Sequence, residues 1–462
     1  MTHALFSSRD LFRLIWPLIV EQLLSILLGM IDIVMVATLG ESSVSGVSLV
    51  DSLNILLVQL FAALGTGGAV VAAQYIGHDA RDMASKTAKQ LIYAILIAAF
   101  VIMTICLCLR KNLLSFLFGD IEGSVMDAAS TYFLITIFAL PSIGLYNACA
   151  ALFRAQGNSR VSMLISLLIN VLNISGNAVL LYGLKWGVEG VALPTLISRG
   201  AAAGILLALL YKGGRYKGRE LISIKGILRF EFDRKLMHRI LAIGIPNGLE
   251  NSVFQIGKIL VLSLIATFGT TAIAANAAAN TLASFEVLPS AAIGLGMLTV
   301  VGQCMGVGDA EQAAYYTKKL MMIAYVSLII LNIPLLLCSN KILQLYNLSS
   351  ETTQLAWYMT LTHGIFTMAI WSFSFAFPNA LRAAGDAVFT MIVSVISMCV
   401  VRIGMSYVFA KTELFGLVQH MNWSSSFAAL GIWFAMVLDW SVRSLCFIWR
   451  FHSGRWKQKH VI

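Results

Sequence analysis

One unit occurs twice along this chain, and that duplication limits the fold more than any other feature. The segment Pro17-Leu-Ile-Val-Glu21 returns as Pro246-Asn-Gly-Leu-Glu250, and Ala37-Thr-Leu-Gly40 returns as Ala266-Thr-Phe-Gly269, both at a spacing of 229 (246−17, 269−40). Gly65, Gly67, Gln74 and Gly77 recur at the same offset as Gly294, Gly296, Gln303 and Gly306. Farther on, Leu152-Phe-Arg-Ala-Gln-Gly157 pairs with Ala380-Leu-Arg-Ala-Ala-Gly385, and Met163 with Met391, at 228 (385−157) after one deletion. A repeat of this length in an apolar sequence points to a transporter of two related lobes with a path between them.

The residues of those lobes belong in a membrane. Apolar residues make up 59% of the chain and charged residues 12%, with mean hydropathy +0.84, against about a quarter charged in ordinary soluble domains. Hydrocarbon about 30 Å thick needs helices of roughly 20 apolar residues. Twelve such segments are predicted, near 11–39, 47–76, 89–109, 125–149, 161–183, 189–211, 240–268, 274–304, 320–338, 354–379, 388–410 and 427–449. The first is too long for a signal peptide and lacks a small-residue cleavage site, so it is read as a permanent helix.

Orientation follows from the basic residues. With the N-terminus in the cytoplasm, 23 of the 32 Lys and Arg fall on the inner side, including nine between Lys212 and Arg239. Five (Arg110, Lys111, Lys185, Lys341 and Lys411) fall outside, and four lie within helices. This bias places both termini in the cytoplasm of a multi-pass inner-membrane protein. It also accounts for the net charge of +10 through anionic lipid headgroups, with no nucleic acid partner. Six helices per repeat make the two repeats parallel. The expected organisation is an N-lobe over 1–211, a basic cytoplasmic linker over 212–239, a C-lobe over 240–450 and a basic tail over 451–462. The expected fold is thus all-α, two homologous six-helix bundles around a central cavity.

Several function classes are excluded by what the sequence lacks. It contains no Gly-x-x-x-x-Gly-Lys-Ser/Thr loop, no His-Glu-x-x-His and no Gly-x-Ser-x-Gly, hence no ATP site and no hydrolase centre of known pattern. The seven cysteines include no Cys-x-x-Cys and read as packing residues. The expectation is a non-enzyme with no cofactor, driven by an ion gradient.

An ionisable side chain at mid-membrane costs about 2.5–3.5 kcal/mol on insertion scales, so each one is a functional candidate. The first helix carries Glu21, one turn after Pro17, and Asp32, eleven residues later (32−21) and near the same helical face. On the fifth helix Asn170, Asn173 and Asn177 align on one face, with Ser166 extending the stripe. Amides offer both donors and acceptors, and so can stabilise a buried carboxylate in either protonation state. Helix packing by hydrogen bonds would also use such a stripe, but the repeat discriminates. Asp32 maps to Val261 in the second lobe, and the three asparagines map to Met398, Val401 and Met405. A scaffold that survives without these groups points to an ion-coupling site in the first lobe only.

Pro17 with Asp32, the Phe153-Arg-Ala-Gln-Gly157 turn, and Asn173 with Asn177, set in two six-helix repeats, resemble the multidrug and toxic compound extrusion (MATE) family over nearly the whole chain. The resemblance implies a cation-coupled antiporter that exchanges H+ or Na+ for small amphipathic, often cationic, organic compounds. It implies that Asp32 is the titrating carboxylate and the site of any bound Na+, with no other metal. It makes Asn173 and Asn177 partners of Asp32 in the cavity, and Pro17 a point where the first helix bends. One departure stands out. Many members carry an acid on the seventh helix eight residues after its proline; here that position is Phe254, and the acid is Glu250, four after Pro246.

The second lobe has its own intramembrane ionisables, Glu250, Lys258, Glu286, His363 and Arg402. They read either as buried ion pairs or as a substrate site, with Lys258 able to neutralise Glu250 or Glu286 and Arg402 able to pair with Glu286. Asp51, Asn54 and Gln59 form a further polar set on the second helix. A lipid-linked precursor flippase would share the two-bundle plan, but such relatives commonly have fourteen helices and a basic cavity. A membrane-embedded enzyme would need a paired catalytic constellation that Asp32 and amides do not make. No feature demands more than a monomer in the lipid bilayer.

Overall fold

The computed structural model describes residues 5–119, 122–216, 218–412, 420–421, 424–459 and 461–462. Twelve helices among them are long and apolar enough to span a membrane, and each overlaps one predicted segment. In the first repeat these are α1 (Ser8–Ala37), α2 (Glu41–Gly77), α3 (Arg81–Phe118), α4 (Gly123–Ala155), α5 (Ser159–Ala178) and α6 (Glu189–Lys212). In the second they are α7 (Arg234–Ala266), α8 (Thr270–Glu286, then Leu288–Val307) and α9 (Ala310–Gln344). They continue as α10 (Ser350–Phe366, prolonged to Ala383), α11 (Ala387–Ile396, prolonged to Lys411) and α12 (Ala429–His452).

The repeated glycines have a backbone reason. Gly40 and Gly269 precede α2 and α8 at φ of 96° and 91°, and Gly157 and Gly385 follow the two Arg-Ala motifs at 76° and 95°. L-residues with a Cβ rarely adopt these values, so the turns keep glycine in both copies. Ser7 caps α1 in a reciprocal box with Asp10, whose backbone N–H donates to the Ser7 hydroxyl at 3.2 Å.

Two compact units divide the chain: residues 1–248 with 302–308 and 461–462, and residues 249–301 with 309–460. The expected N-lobe lies wholly in the first unit, which also takes in the basic segment and the start of α7. In unit 1, α2 lies against α4 along most of its length. The runs of Ala and Gly on α2, such as Ala69 and Ala73 against Ala151 and Ala155, allow that close approach. The basic segment folds as a small hairpin, with Arg215–Tyr216 antiparallel to Arg219–Glu220. Beyond the hairpin it is tied to α3 and α4: the Tyr93 hydroxyl donates to the Ile227 carbonyl at 2.6 Å, and the Ile222 N–H donates to Gln156 Oε1 at 2.7 Å. In unit 2, one apolar core joins α7, α8, α10 and α12 through residues such as Ile265, Leu282, Met359 and Trp433.

Candidate functional site

In unit 1, α1 packs on α5 and α5 on α6, which brings Asp32 to the asparagine stripe. The hydrogen bonds there form a directed series. The Thr195 hydroxyl donates to the Val191 carbonyl at 3.1 Å and accepts from the Asn173 amide at 2.9 Å. The Asn177 amide lies 3.1 Å from Asn173 Oδ1 and donates to Asp32 Oδ1 at 2.8 Å. Each amide is thereby oriented by the group behind it, and the last one presents a donor to the carboxylate. Asn177 Oδ1 is buried and has no partner among the described residues. A buried acceptor without a donor beside a half-buried carboxylate has the coordination needs of a proton carrier or a small cation. Asn170 stays apart from this series, its amide donating to the Ser166 carbonyl one turn back at 2.8 Å.

Three further groups complete the site. Asp51 and Arg199 are both within electrostatic reach of Asp32. The Tyr132 hydroxyl donates to Asp51 Oδ1 at 3.1 Å, and Arg199 lies over the Tyr146 ring at 5.6 Å. Tyr132 and Thr195 were invisible as site residues in the sequence, because single hydroxyls in apolar helices look like packing groups; Arg199, a cation inside the sixth apolar segment, carried a signal that sequence reasoning passed over. Asp51 carried a usable signal: its repeat mate is Asn280 (280−51 = 229), so its charge, like that of Asp32, is confined to the first copy.

Glu21 has a different environment. It is buried, accepts from Arg154 Nη1 at 2.8 Å on one oxygen and from the Ser162 hydroxyl at 2.7 Å on the other. Its repeat mate Glu250 accepts from Arg382 Nη2, the repeat mate of Arg154, at 2.7 Å and from Arg443 Nη2 at 3.4 Å. A carboxylate–guanidinium clasp kept in both copies, one per unit, belongs to the shared scaffold. Pro17 cannot donate to the Arg13 carbonyl four residues back; the Ser159 hydroxyl sits 2.6 Å from the Leu14 carbonyl and 3.5 Å from that of Arg13. The bend point of α1 is thus partly satisfied by α5.

In unit 2, none of the pairings open to Lys258 or Arg402 in the sequence forms among the described residues. Glu286 pairs with His363 Nδ1, which Thr367 also contacts at 3.2 Å. Trp433 and Trp440 meet the imidazole edge to face at 5.7 and 5.1 Å. Arg402 Nη1 stands 4.0 Å from Asp439 Oδ2, and the Ser397 hydroxyl donates to Asp439 Oδ1 at 2.6 Å. Asp439 and Arg443 are thus polar core residues that sequence reasoning did not single out.

A family model described as MatE matches residues 17–179 and again 246–408, an offset of 229 (246−17) equal to the internal repeat. A curated relative, the probable multidrug resistance protein NorM of Thermotoga maritima, is 23% identical over 98% of this chain and 94% of its own length. The uncharacterized transporter YisQ of Bacillus subtilis is 26% identical over 97% of this chain and 95% of its own. Among solved structures, an outward-facing multidrug resistance MATE family transporter of the MOP superfamily superposes with a TM-score of 0.86. It is 20% identical, over 98% of this chain and 97% of that one.

Proposed function

This chain belongs to the MATE family of membrane transporters, and on that premise we propose that it is a cation-coupled antiporter exporting small amphipathic organic compounds. The reading is carried by one observation: a directed amide series that ends on Asp32 beside an orphaned acceptor, present in one repeat and absent from the other. The coupling ion, H+ or Na+, binds at Asp32 with Asn177 and Asn173. Its arrival cancels the negative charge and satisfies the Asn177 oxygen, which removes the reason for that part of unit 1 to stay hydrated. Helix α1 then bends near Pro17, where the backbone ladder is already interrupted. A membrane potential contributes about 2.3 kcal/mol per charge per 100 mV, enough to bias the exchange tens of fold. The acids Asp32 and Asp51 suit cationic cargo in unit 1. The protein works as a monomer in the inner membrane with both termini cytoplasmic, and 212–239 with 451–462 as its basic inner face.

The test is efflux of ethidium from reconstituted vesicles under an imposed pH or Na+ gradient, wild type against Asp32→Asn. Gradient-driven efflux that the mutation abolishes supports the reading. Efflux that the mutation leaves unchanged removes Asp32 from coupling.

A further inference from the structure

Unit 2 contains a cavity of about 240 Å³ whose lining includes Lys258, Val261, Asn276, Asn280, Arg402 and Trp433. By the repeat it corresponds to the Asp32 site of unit 1. Val261 is the mate of Asp32 (261−32 = 229) and Asn280 that of Asp51 (280−51 = 229). Lys258 replaces Gly29 at the same offset, and Arg402 replaces Ile174 at 228 (402−174). Two acids have gone and two cations have come, so equivalent places in the two copies have opposite charge.

Lys258 is not neutralised by the protein, and Arg402 only in part. Glu250 is occupied by Arg382 and Arg443, and Glu286 by His363. Asp439 accepts from Ser397 on Oδ1 and faces Arg402 Nη1 with Oδ2 at 4.0 Å, the outer edge of ion-pair range. Lys258 has no carboxylate within 4.0 Å among the described residues, and Arg402, 7% exposed, has a buried Nε without a hydrogen-bond acceptor. Their company is the ring of Phe254, with Lys258 Nζ at 5.2 Å and the guanidinium of Arg402 at 5.4 Å. An aromatic face attracts a cation but accepts few of its hydrogen bonds.

Local backbone geometry also distinguishes this place. Arg402 lies in a π-helical stretch, Ser397–Ile403, whereas the corresponding residues 169–175 belong to the regular α5. Such stretches are rare and are frequent at functional sites. Asn276 has its oxygen engaged by the Trp433 indole N–H at 3.2 Å, which leaves its NH2 as a further donor. Apolar walls from Val261, Leu262, Ile265 and Met436 complete the lining.

We propose that this cavity is a binding site for an amphipathic organic anion, in which Lys258 and Arg402 hold a carboxylate, sulfonate or phosphate group and the apolar wall covers the body of the molecule. The inference goes beyond the antiport reading and stands on unit 2 alone. The anion is either a free organic acid or the headgroup of an anionic lipid.

The test uses the purified full-length protein in phosphatidylcholine nanodiscs with tritiated taurocholate as probe and no gradient. Saturable binding is expected, weakened at least roughly ten-fold in Lys258→Met and in Arg402→Met, since a charge-assisted hydrogen bond is lost in each. Lys258→Arg, which keeps the charge, should retain binding and shows that loss in the Met variant is not misfolding. Phosphatidylglycerol in the nanodisc that competes with the probe assigns the anion to a lipid headgroup. Failure to compete assigns it to a free organic acid, and both results uphold the site. No saturable binding to the wild type, or equal binding by the Met variants, overturns it. Asp32→Asn should bind taurocholate as the wild type does while losing efflux, so that failure of either reading shows separately.

Discussion

The two carboxylate–guanidinium clasps are related by the repeat but differ in stoichiometry, and that difference predicts unequal responses to the same mutation. In unit 1, Glu21 faces one guanidinium, Arg154, at 2.8 Å with side-chain exposures of 9% and 16%. In unit 2, Glu250 faces two, Arg382 at 2.7 Å and Arg443 at 3.4 Å, with Arg443 only 2% exposed. Removing one partner of a buried pair costs about 3–5 kcal/mol, because the other charge loses its counter-charge. Glu21→Gln should fall in that range. Glu250→Gln takes the carboxylate from two buried guanidinium groups that repel each other, so it should cost more than Glu21→Gln, near the upper end of about 5 kcal/mol. At about 2 °C per kcal/mol for a unit of this size, the first variant should melt about 6–10 °C below wild type and the second lower still. Rescue should differ as well. Adding Arg154→Met to Glu21→Gln removes the guanidinium together with its carboxylate and should recover part of the loss. Adding Arg382→Met to Glu250→Gln should recover less, because the buried Arg443 still lacks the Glu250 carboxylate, although it keeps its hydrogen bond to the Ser374 carbonyl. The assay is thermal unfolding of purified protein in detergent, followed by the fluorescence of a thiol-reactive dye. Equal melting of Glu21→Gln and wild type, or full recovery of the Glu250→Gln, Arg382→Met pair, would refute the reasoning.

Other consequences follow from the same geometry. Pro17→Ala restores the hydrogen bond to the Arg13 carbonyl and should raise the melting temperature while slowing ethidium efflux; unchanged efflux would remove the bend from the mechanism. A Cβ on Gly77 would lie 2.1 Å from the Gln303 carbonyl oxygen, and one on Gly306 2.0 Å from that of Gln74. Gly77→Ala should therefore part the ends of α2 and α8 and speed maleimide labelling of the adjacent buried Cys304, whereas wild-type labelling kinetics would contradict that contact. Thr195→Ala leaves the Asn173 amide without its acceptor and should reduce gradient-driven efflux up to roughly ten-fold, with little change in melting.

Much of the fold was legible because membrane helices are written in composition: twelve apolar segments and a basic bias need no tertiary knowledge. The repeat supplied more, since Glu21 and Glu250 recur with Arg154 and Arg382 while Asp32 and the asparagines do not, and that contrast separates scaffold from candidate site. What was not legible depends on helix neighbours. Thr195 and Tyr132 reach the Asp32 site from α6 and α4, and one hydroxyl in an apolar helix carries no periodic signal. Asn170 shares the face of Asn173 and Asn177 yet bonds its own helix, because an amide can always turn back to the carbonyl one turn earlier. The partners of Lys258 and Arg402 were open for a similar reason. Asp439 approaches Arg402 from α12, and spacing along the chain does not say which helices are neighbours.

The central claim is that ion and substrate movements are coupled through Asp32, and the most direct measurement is the reverse reaction. Vesicles loaded with a pH- or Na+-sensitive dye receive an ethidium gradient and no ion gradient. Wild type should move H+ or Na+ opposite to ethidium, and Asp32→Asn should move ethidium, if at all, without any ion signal. An ion signal of wild-type size in Asp32→Asn would contradict the account.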